Sequence, residues 1–251
     1  MSGHSKWAQI KRKKAVTDQR RGRIFSQIIK EITIAAKMGG ANPDGNARLR
    51  IAIEKAKASN MPADNIKRAI MKGTGELPGT NYEDAVYEAY GPGGVAIIVE
   101  AVTDNKNRTV SEIRHVLERA NGKLATAGSV AFQFHKKGVI AVSRNSVAED
   151  DLLTIALNAG AEDVKADEHE YTIISSPNTF ETVRKAIDER KIPIDSAEIL
   201  LMADSTVRVE GKDAENLLKL MEALEEHDDV QKVHSNFEID DKELARISPL
   251  H

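Results

Sequence analysis

Hydrophobic positions in the first third of the chain recur at three- and four-residue steps. Ile24, Phe25, Ile28, Ile29, Ile32, Ala35 and Ala36 trace one stripe, which predicts a helix from Arg21 closed by Gly39-Gly40. After Asn42-Pro43-Asp44, the positions Leu49, Ile53 and Ala56 predict a second helix over Asn46–Ala58. A third begins at Asn60-Met61-Pro62, turns Ile66, Ala69 and Ile70 inward and ends at Gly73. Amphipathic helices this short cannot bury their stripes separately, so a helical bundle is expected. Residues 1–20 show no such period and read as an arm, disordered or ordered only by docking.

Beyond Gly79 the period changes to two. Val86–Tyr90, a Gly91-Pro92-Gly93-Gly94 turn and Val95–Val102 read as a hairpin. A helix is predicted from Thr109, with Glu112 completing a capping box, and carries Val110, Ile113, Val116 and Leu117. Val130, Phe132 and Phe134 alternate as a strand that Gly128-Ser129 begins. Then follow a strand (Val139–Val142), a helix (Glu149–Ala159, capped from Ser146), strands near Asp163–Ala166 and Tyr171–Ile174, a helix (Phe180–Arg190) and an extended segment (Ile194–Leu200). That βαββαβ order is the ferredoxin-like unit. A strand (Val207, Val209), a helix (Ala214, Leu217, Leu218, Met221, Leu224) and a last strand (Val230, Val233) remain. The outer pieces suffice for one sheet domain. The expected fold is therefore α+β: a basic helical domain over 1–78, a discontinuous α+β domain over 79–130 and 204–240, a ferredoxin-like domain inserted at 131–203, and a tail at 241–251.

Charge adds a functional direction. The chain has 251 residues and a net charge of −3, but residues 1–75 hold 17 Lys+Arg against 5 Asp+Glu, a net of +12. The remainder carries −15. Such asymmetry points to a segment that meets a polyanion, the plainer alternative being two oppositely charged domains attracting each other. Lys11, Arg12, Lys13, Lys14, Arg20, Arg21 and Arg23 crowd one short block, opposed only by Asp18, and Lys6 precedes it. Each cation set on a phosphate releases a condensed counterion, and five or six such contacts suffice for about micromolar non-specific binding. Arg48 and Arg50, with Lys55, Lys57, Lys67, Arg68 and Lys72, extend the positive field over the predicted helices. Trp7, the only tryptophan, either stacks on an unpaired base or pins the arm to the bundle; burial of the ring is the favoured role.

Other chemistries find little support. Cysteine is absent, which removes disulfides, thiol nucleophiles and Cys-ligated metals. The longest strictly apolar run, Val95–Val99, falls far short of the roughly 20 residues of a membrane span. The basic N-terminus lacks the apolar core of a secretory signal, so a cytoplasmic protein is expected. Gly91–Gly94 is followed by a strand and not by Lys-Ser/Thr and a helix, unlike a nucleotide loop. The seven histidines are scattered without HxxxH spacing, no G-x-S-x-G elbow occurs, and Glu222, Glu225, Glu226, Asp228 and Asp229 read as a solvated acidic helix end. No metal, cofactor or enzymatic activity is expected.

Several stretches resemble one family. Met1-Ser2-Gly3-His4-Ser5-Lys6-Trp7 with Ile10-Lys11, Asn60-Met61-Pro62-Ala63-Asp64-Asn65-Ile66, Gly91-Pro92-Gly93-Gly94-Val95, Thr103-Asp104-Asn105-Lys106-Asn107-Arg108-Thr109 and Gly128-Ser129-Val130 are similar to motifs of the YebC/PmpR family. The resemblance runs from the first residue to about residue 240. It implies a three-domain α+β protein whose bacterial members are described as DNA-binding transcriptional regulators. The related mitochondrial translational activator of cytochrome c oxidase implies ribosomal work instead. The expected function is thus a nucleic-acid-binding regulator of gene expression, a DNA-binding transcriptional regulator in the first reading. The alternative is a translation factor on ribosomal RNA or the ribosome; in either case the acidic domains engage other proteins or supply shape, and a ligand-sensing adaptor ranks third. Oligomeric state stays open.

Overall fold

The computed structural model describes residues 18–247. Its architecture has the expected class: a helical bundle followed by two α+β domains, one inserted in the other. Helix α1 (Asp18–Gly39) is the axis of the first domain, with α2 (Ala47–Ala58) and α3 (Ala63–Thr74) packed against it. Ile28, Ile32, Ala35 and Ala36 of α1 meet Leu49, Ala52, Ala56, Ile66 and Ala69. Ile32 to Ala36 are five consecutive buried residues, which a helix shows only when covered on more than one side. The second cover is the neighbouring α+β domain.

Local signals set the helix ends. Asn46 caps α2: its Oδ1 accepts from the Leu49 amide at 3.1 Å, and its Nδ2 donates to the Ala35 and Gly40 carbonyls at 2.7 and 3.0 Å. Gly73 does not terminate α3 as expected; the helix runs to Thr74, and Gly75, at φ +83°, ends it. Gly73 serves a different need. A Cβ there would lie 2.3 Å from the Thr33 carbonyl oxygen and 2.8 Å from the Ala36 Cβ, so glycine lets α3 rest directly on α1. Gly73→Ala should separate the two helices and cost about 1–3 kcal/mol, read as a lower denaturant midpoint at unchanged slope. An unchanged midpoint would show that α3 can shift freely.

The middle domain is built on strands β1 (Glu83–Tyr90) and β2 (Ala96–Thr103), an antiparallel hairpin in register from Glu83↔Thr103 to Tyr90↔Ala96. With β3 (Lys123–Leu124) and β9 (Val230–Ser235) they form a sheet of order β3-β1-β2-β9. Helices α4 (Lys106–Arg119) and α7 (Gly211–Glu225) supply Ile113, Leu117, Leu217, Leu220, Met221 and Leu224 to a core shared with Ala89, Ile97, Val99 and Val233. Val207 belongs to a two-residue strand, β8 (Val207–Arg208), parallel to β10 (Phe237–Glu238), with the short α8 (Asp241–Ile247) beyond.

Between them lies the βαββαβ unit: β4 (Phe134–Ser143), α5 (Glu149–Asn158), β5 (Ala161–Ala166), β6 (Glu170–Ser175), α6 (Phe180–Glu189) and β7 (Ser196–Ala203). Its sheet order, β5-β6-β4-β7 with every pair antiparallel, is that of a ferredoxin-like fold. Ile140, Val142, Leu152, Ala156, Ile173, Val183 and Ile187 form its core. The first residues of β4 pair with β7 alone, and Phe134 packs with Ala96, Ile98 and Val130 to join the two α+β domains.

Three local expectations are corrected. No separate strand spans Val130, Phe132 and Phe134, and Gly128-Ser129 begins none; Ala131–Gln133 is a turn of 3-10 helix and Phe134 opens β4. The cause is Glu88 on β1, whose buried carboxylate accepts from the amides of Gly128, Val130 and Ala131 at 2.5, 2.7 and 2.9 Å and folds the segment onto itself. Helix α4 starts at Lys106, not Thr109, because Asn105 Oδ1 accepts from the Arg108 amide. Helix α5 has no side-chain cap; Ser146 Oγ donates to the Ser143 carbonyl instead.

Candidate nucleic-acid interface

The cations singled out in the sequence separate into groups. Lys6, Trp7, Lys11, Arg12, Lys13 and Lys14 lie outside the described residues, and of Arg20 only the backbone, in the first turn of α1, is described. Arg21 is exposed near the start of α1 and Arg50 is exposed on α2. Arg23 and Arg48 are turned inward, against the neighbouring domain.

Helical spacing explains the division. On α2 the buried line is Leu49, Ala52 and Ala56, which places Arg50 and Lys57 on one flank and Arg48 on the other. Arg50, Lys57, Lys67, Arg68 and Lys72 are exposed and make no ion pair among the described residues. Arg48 is different. Its Nε and Nη2 hold Glu31 at 2.7 and 3.0 Å, while Nη1 and Nη2 hold Asp84 of β1 at 2.8 Å each. The bonds it donates to Asp84 and Glu31 raise its pKa further, and the Arg48 bond lowers that of Asp84 against the opposing effect of burial.

Along α1, Arg23, Gln27, Lys30, Ile34 and Lys37 follow one stripe distinct from the apolar one. Every polar member of it meets the middle domain. Arg23 Nη1 is 3.0 Å from Glu226 Oε1, and Gln27 Nε2 donates to the Glu225 and Val230 carbonyls at 3.2 and 2.9 Å. Lys30 Nζ donates to Asp229 Oδ1 at 2.6 Å and to the Asp228 carbonyl at 3.0 Å. Lys37 reaches the Asn81 side chain and the Tyr82 carbonyl.

Asp229 is the centre of this seam, and it is not the solvated residue its sequence context suggested. Its side chain is 3% exposed, and Oδ2 accepts from Thr109 Oγ1 at 2.7 Å, Arg108 Nη2 at 3.0 Å and Thr103 Oγ1 at 3.1 Å. Burial pulls its pKa upward, yet the bonds from Lys30, Thr109 and Arg108 outweigh it and hold the carboxyl well below the usual aspartate range. The 103–109 motif thus builds the receptacle: Asn105 starts the helix, Arg108 also holds Asp104 at 2.7 Å, and Thr103 and Thr109 face Asp229.

An open cleft of about 850 Å³ borders the seam, lined by Arg23, Lys30, Arg108, His115 and His227 among others. Ligand atoms of Glu112, His227 and Asp229 there lie within 4.8 Å of one another. The donor set is unsuited to a divalent cation, because Asp229 already faces two cations. His227 Nδ1 accepts from the Asp229 amide at 3.1 Å, so its Nε2 carries the proton and points at Glu112 Oε2, 2.9 Å away. The trio is a hydrogen-bonded junction.

Comparison with known proteins places this architecture. A family model described as the TACO1/YebC protein N-terminal domain matches residues 5–76. A second, described as the TACO1/YebC second and third domain, matches residues 82–237. The chain belongs to the TACO1/YebC family. Family relatives named probable transcriptional regulatory protein include one from Chlorobium phaeobacteroides, 52% identical over 249 residues, covering 99% of this chain and 100% of the relative. One from Dictyoglomus turgidum is 53% identical at the same coverage, and one from Geobacter sulfurreducens is 51% identical over 98% of this chain and 100% of its own. The conserved hypothetical protein Aq1575 of Aquifex aeolicus superposes with a TM-score of 0.79 at 46% identity, covering 91% of this chain and 95% of that one. No helix among the described residues is long and apolar enough to cross a membrane.

Proposed function

We propose that this TACO1/YebC protein is a nucleic-acid-binding regulator of gene expression whose helical domain grips the phosphate backbone. The observation that carries this reading is the exposed set Arg50, Lys57, Lys67, Arg68 and Lys72, on a domain whose partner domains are acidic. These cations extend the basic block that enters α1 at Arg20 and Arg21. The reading is one of binding, not catalysis: the titratable residues brought together here bond to each other and hold domains.

The relatives' names favour transcription and therefore duplex DNA. One feature of the bundle favours the second reading, an RNA or ribosomal surface. Helices α2 and α3 pack on α1 more than on each other, unlike a helix-turn-helix, whose recognition helix rests on its partner. Titration of the full chain against labelled duplex DNA and a ribosomal RNA fragment over a salt series, with ribosome cosedimentation, tests both. A regulator of transcription should prefer particular duplexes. A translation factor should cosediment and rank duplex sequences equally. Indifference to both polymers at low ionic strength would overturn the proposal.

A further inference from the structure

We infer that the carboxylates of the middle domain occupy a second phosphate-binding row on the helical domain, so that domain docking and nucleic-acid binding compete for the same cations. The inference rests on the phosphate-binding reading above and adds a site to it.

Arg23, Lys30 and Lys37 recur every seven residues along α1, about 10 Å apart at the helical rise, and Arg48 of α2 joins them. A cationic line of this kind on a separate domain would be a polyanion site. Here it is filled from within: Glu226 stands on Arg23, Asp229 on Lys30, and Asp84 on Arg48, which the helical domain's own Glu31 also holds. The Arg48–Asp84 pair uses two parallel N–H···O bonds, the same fork that arginine offers a phosphate. The carboxylates stand where phosphate oxygens would.

The composition of the seam makes the contact reversible. Of the five α1 residues on this stripe only Ile34 is apolar. Polar interfaces between domains permit relative motion, and exposed ion pairs weaken with salt. Glu226 and Asp84 keep 54% and 44% of their side chains exposed, so a polyanion can reach the pairs at the edge of the seam before the buried Lys30–Asp229 pair is disturbed. Entry from the edge would exchange carboxylate for phosphate, one cation at a time.

The test is a double variant, Asp84→Asn with Glu226→Gln, titrated against fluorescein-labelled poly(U) over a salt series. Both changes keep size and one acceptor oxygen while removing the competing charge. The expected result is several-fold tighter binding than the parent and a log–log salt slope steeper by about 0.7 for the freed Arg23, with up to as much again for Arg48, whose other contact stays on Glu31. A purely structural role predicts a lower melting temperature with affinity and slope unchanged, and that outcome would overturn the inference. Failure of the nucleic-acid reading itself looks different: the parent would bind neither poly(U) nor the duplex and ribosomal probes. Should melting of the double variant fall far enough to blur the titration, Glu226→Gln alone, at the exposed end of α7, is expected to give about half the change in slope.

Discussion

Replacing Arg50, Lys67, Arg68 and Lys72 together with glutamine should flatten the salt dependence of duplex binding by up to about 3.6 in log–log slope, near 0.9 for each lost phosphate contact. Affinity should fall on every sequence tested, because phosphate contacts position a protein without reading bases. The folded state should be nearly unaffected, since all four side chains are exposed and make no ion pair among the described residues. Surface substitutions of this kind are usually within about 0.5 kcal/mol of neutral. An unchanged slope with normal melting would remove these four cations from the interface and shift the assignment toward the basic block of residues 11–23. Arg48, although part of the same basic stretch, should behave in the opposite sense. Its loss leaves Glu31 and Asp84 without their shared partner and is expected to lower stability while reducing the salt slope little.

Asp229→Ala should be among the most damaging single changes in the protein. It leaves Lys30 and Arg108 facing each other without the carboxylate that holds both. Removing one partner of a buried ion pair costs about 3–5 kcal/mol, and the low end applies because Arg108 stays part exposed. For a chain of this size that corresponds to a melting temperature lower by roughly 6–12 °C. Asp229→Asn, which keeps the shape, should cost less and should change the pH dependence. The folded carboxyl binds its proton more weakly than the unfolded one, so unfolding takes up a proton at low pH. The stabilisation is complete above the unfolded value of about 4 and is lost as pH falls through the lower folded value. Asp84 and Glu88 are depressed too and act with the same sign. The Asn variant should therefore show a shallower acid decline below about pH 4, measured by denaturant unfolding at stepped pH. A decline as steep as the parent's would mean that Asp229 is not the group titrating.

How far the sequence reached depended on whether the signal was local. The apolar stripe of Ile28, Ile32 and Ala36, the Gly91–Gly94 turn and the βαββαβ rhythm are short-range patterns, and each became the expected element. Pattern and fold diverge where a distant group outcompetes a local preference. Val130, Phe132 and Phe134 alternate like a strand, but the Glu88 carboxylate, more than forty positions away, takes three of the amides nearby. Thr109 and Glu112 have capping-box spacing, yet Asn105 caps first and Thr109 goes to Asp229.

The same distinction divides the candidate site. Summed charge is additive along a chain, so sequence alone determined that a strongly basic helical segment is joined to acidic α+β domains, and which family the chain resembles. Which cations remain available is not additive. Arg48 and Arg50 are two positions apart in one helix, and only the placement of β1 beside α2 gives the first to Asp84 and leaves the second exposed. Asp229 looked like one more solvated acid until α1 and α4 closed over it. Pairing depends on which distant residues lie within a few ångströms, and only the folded chain decides that.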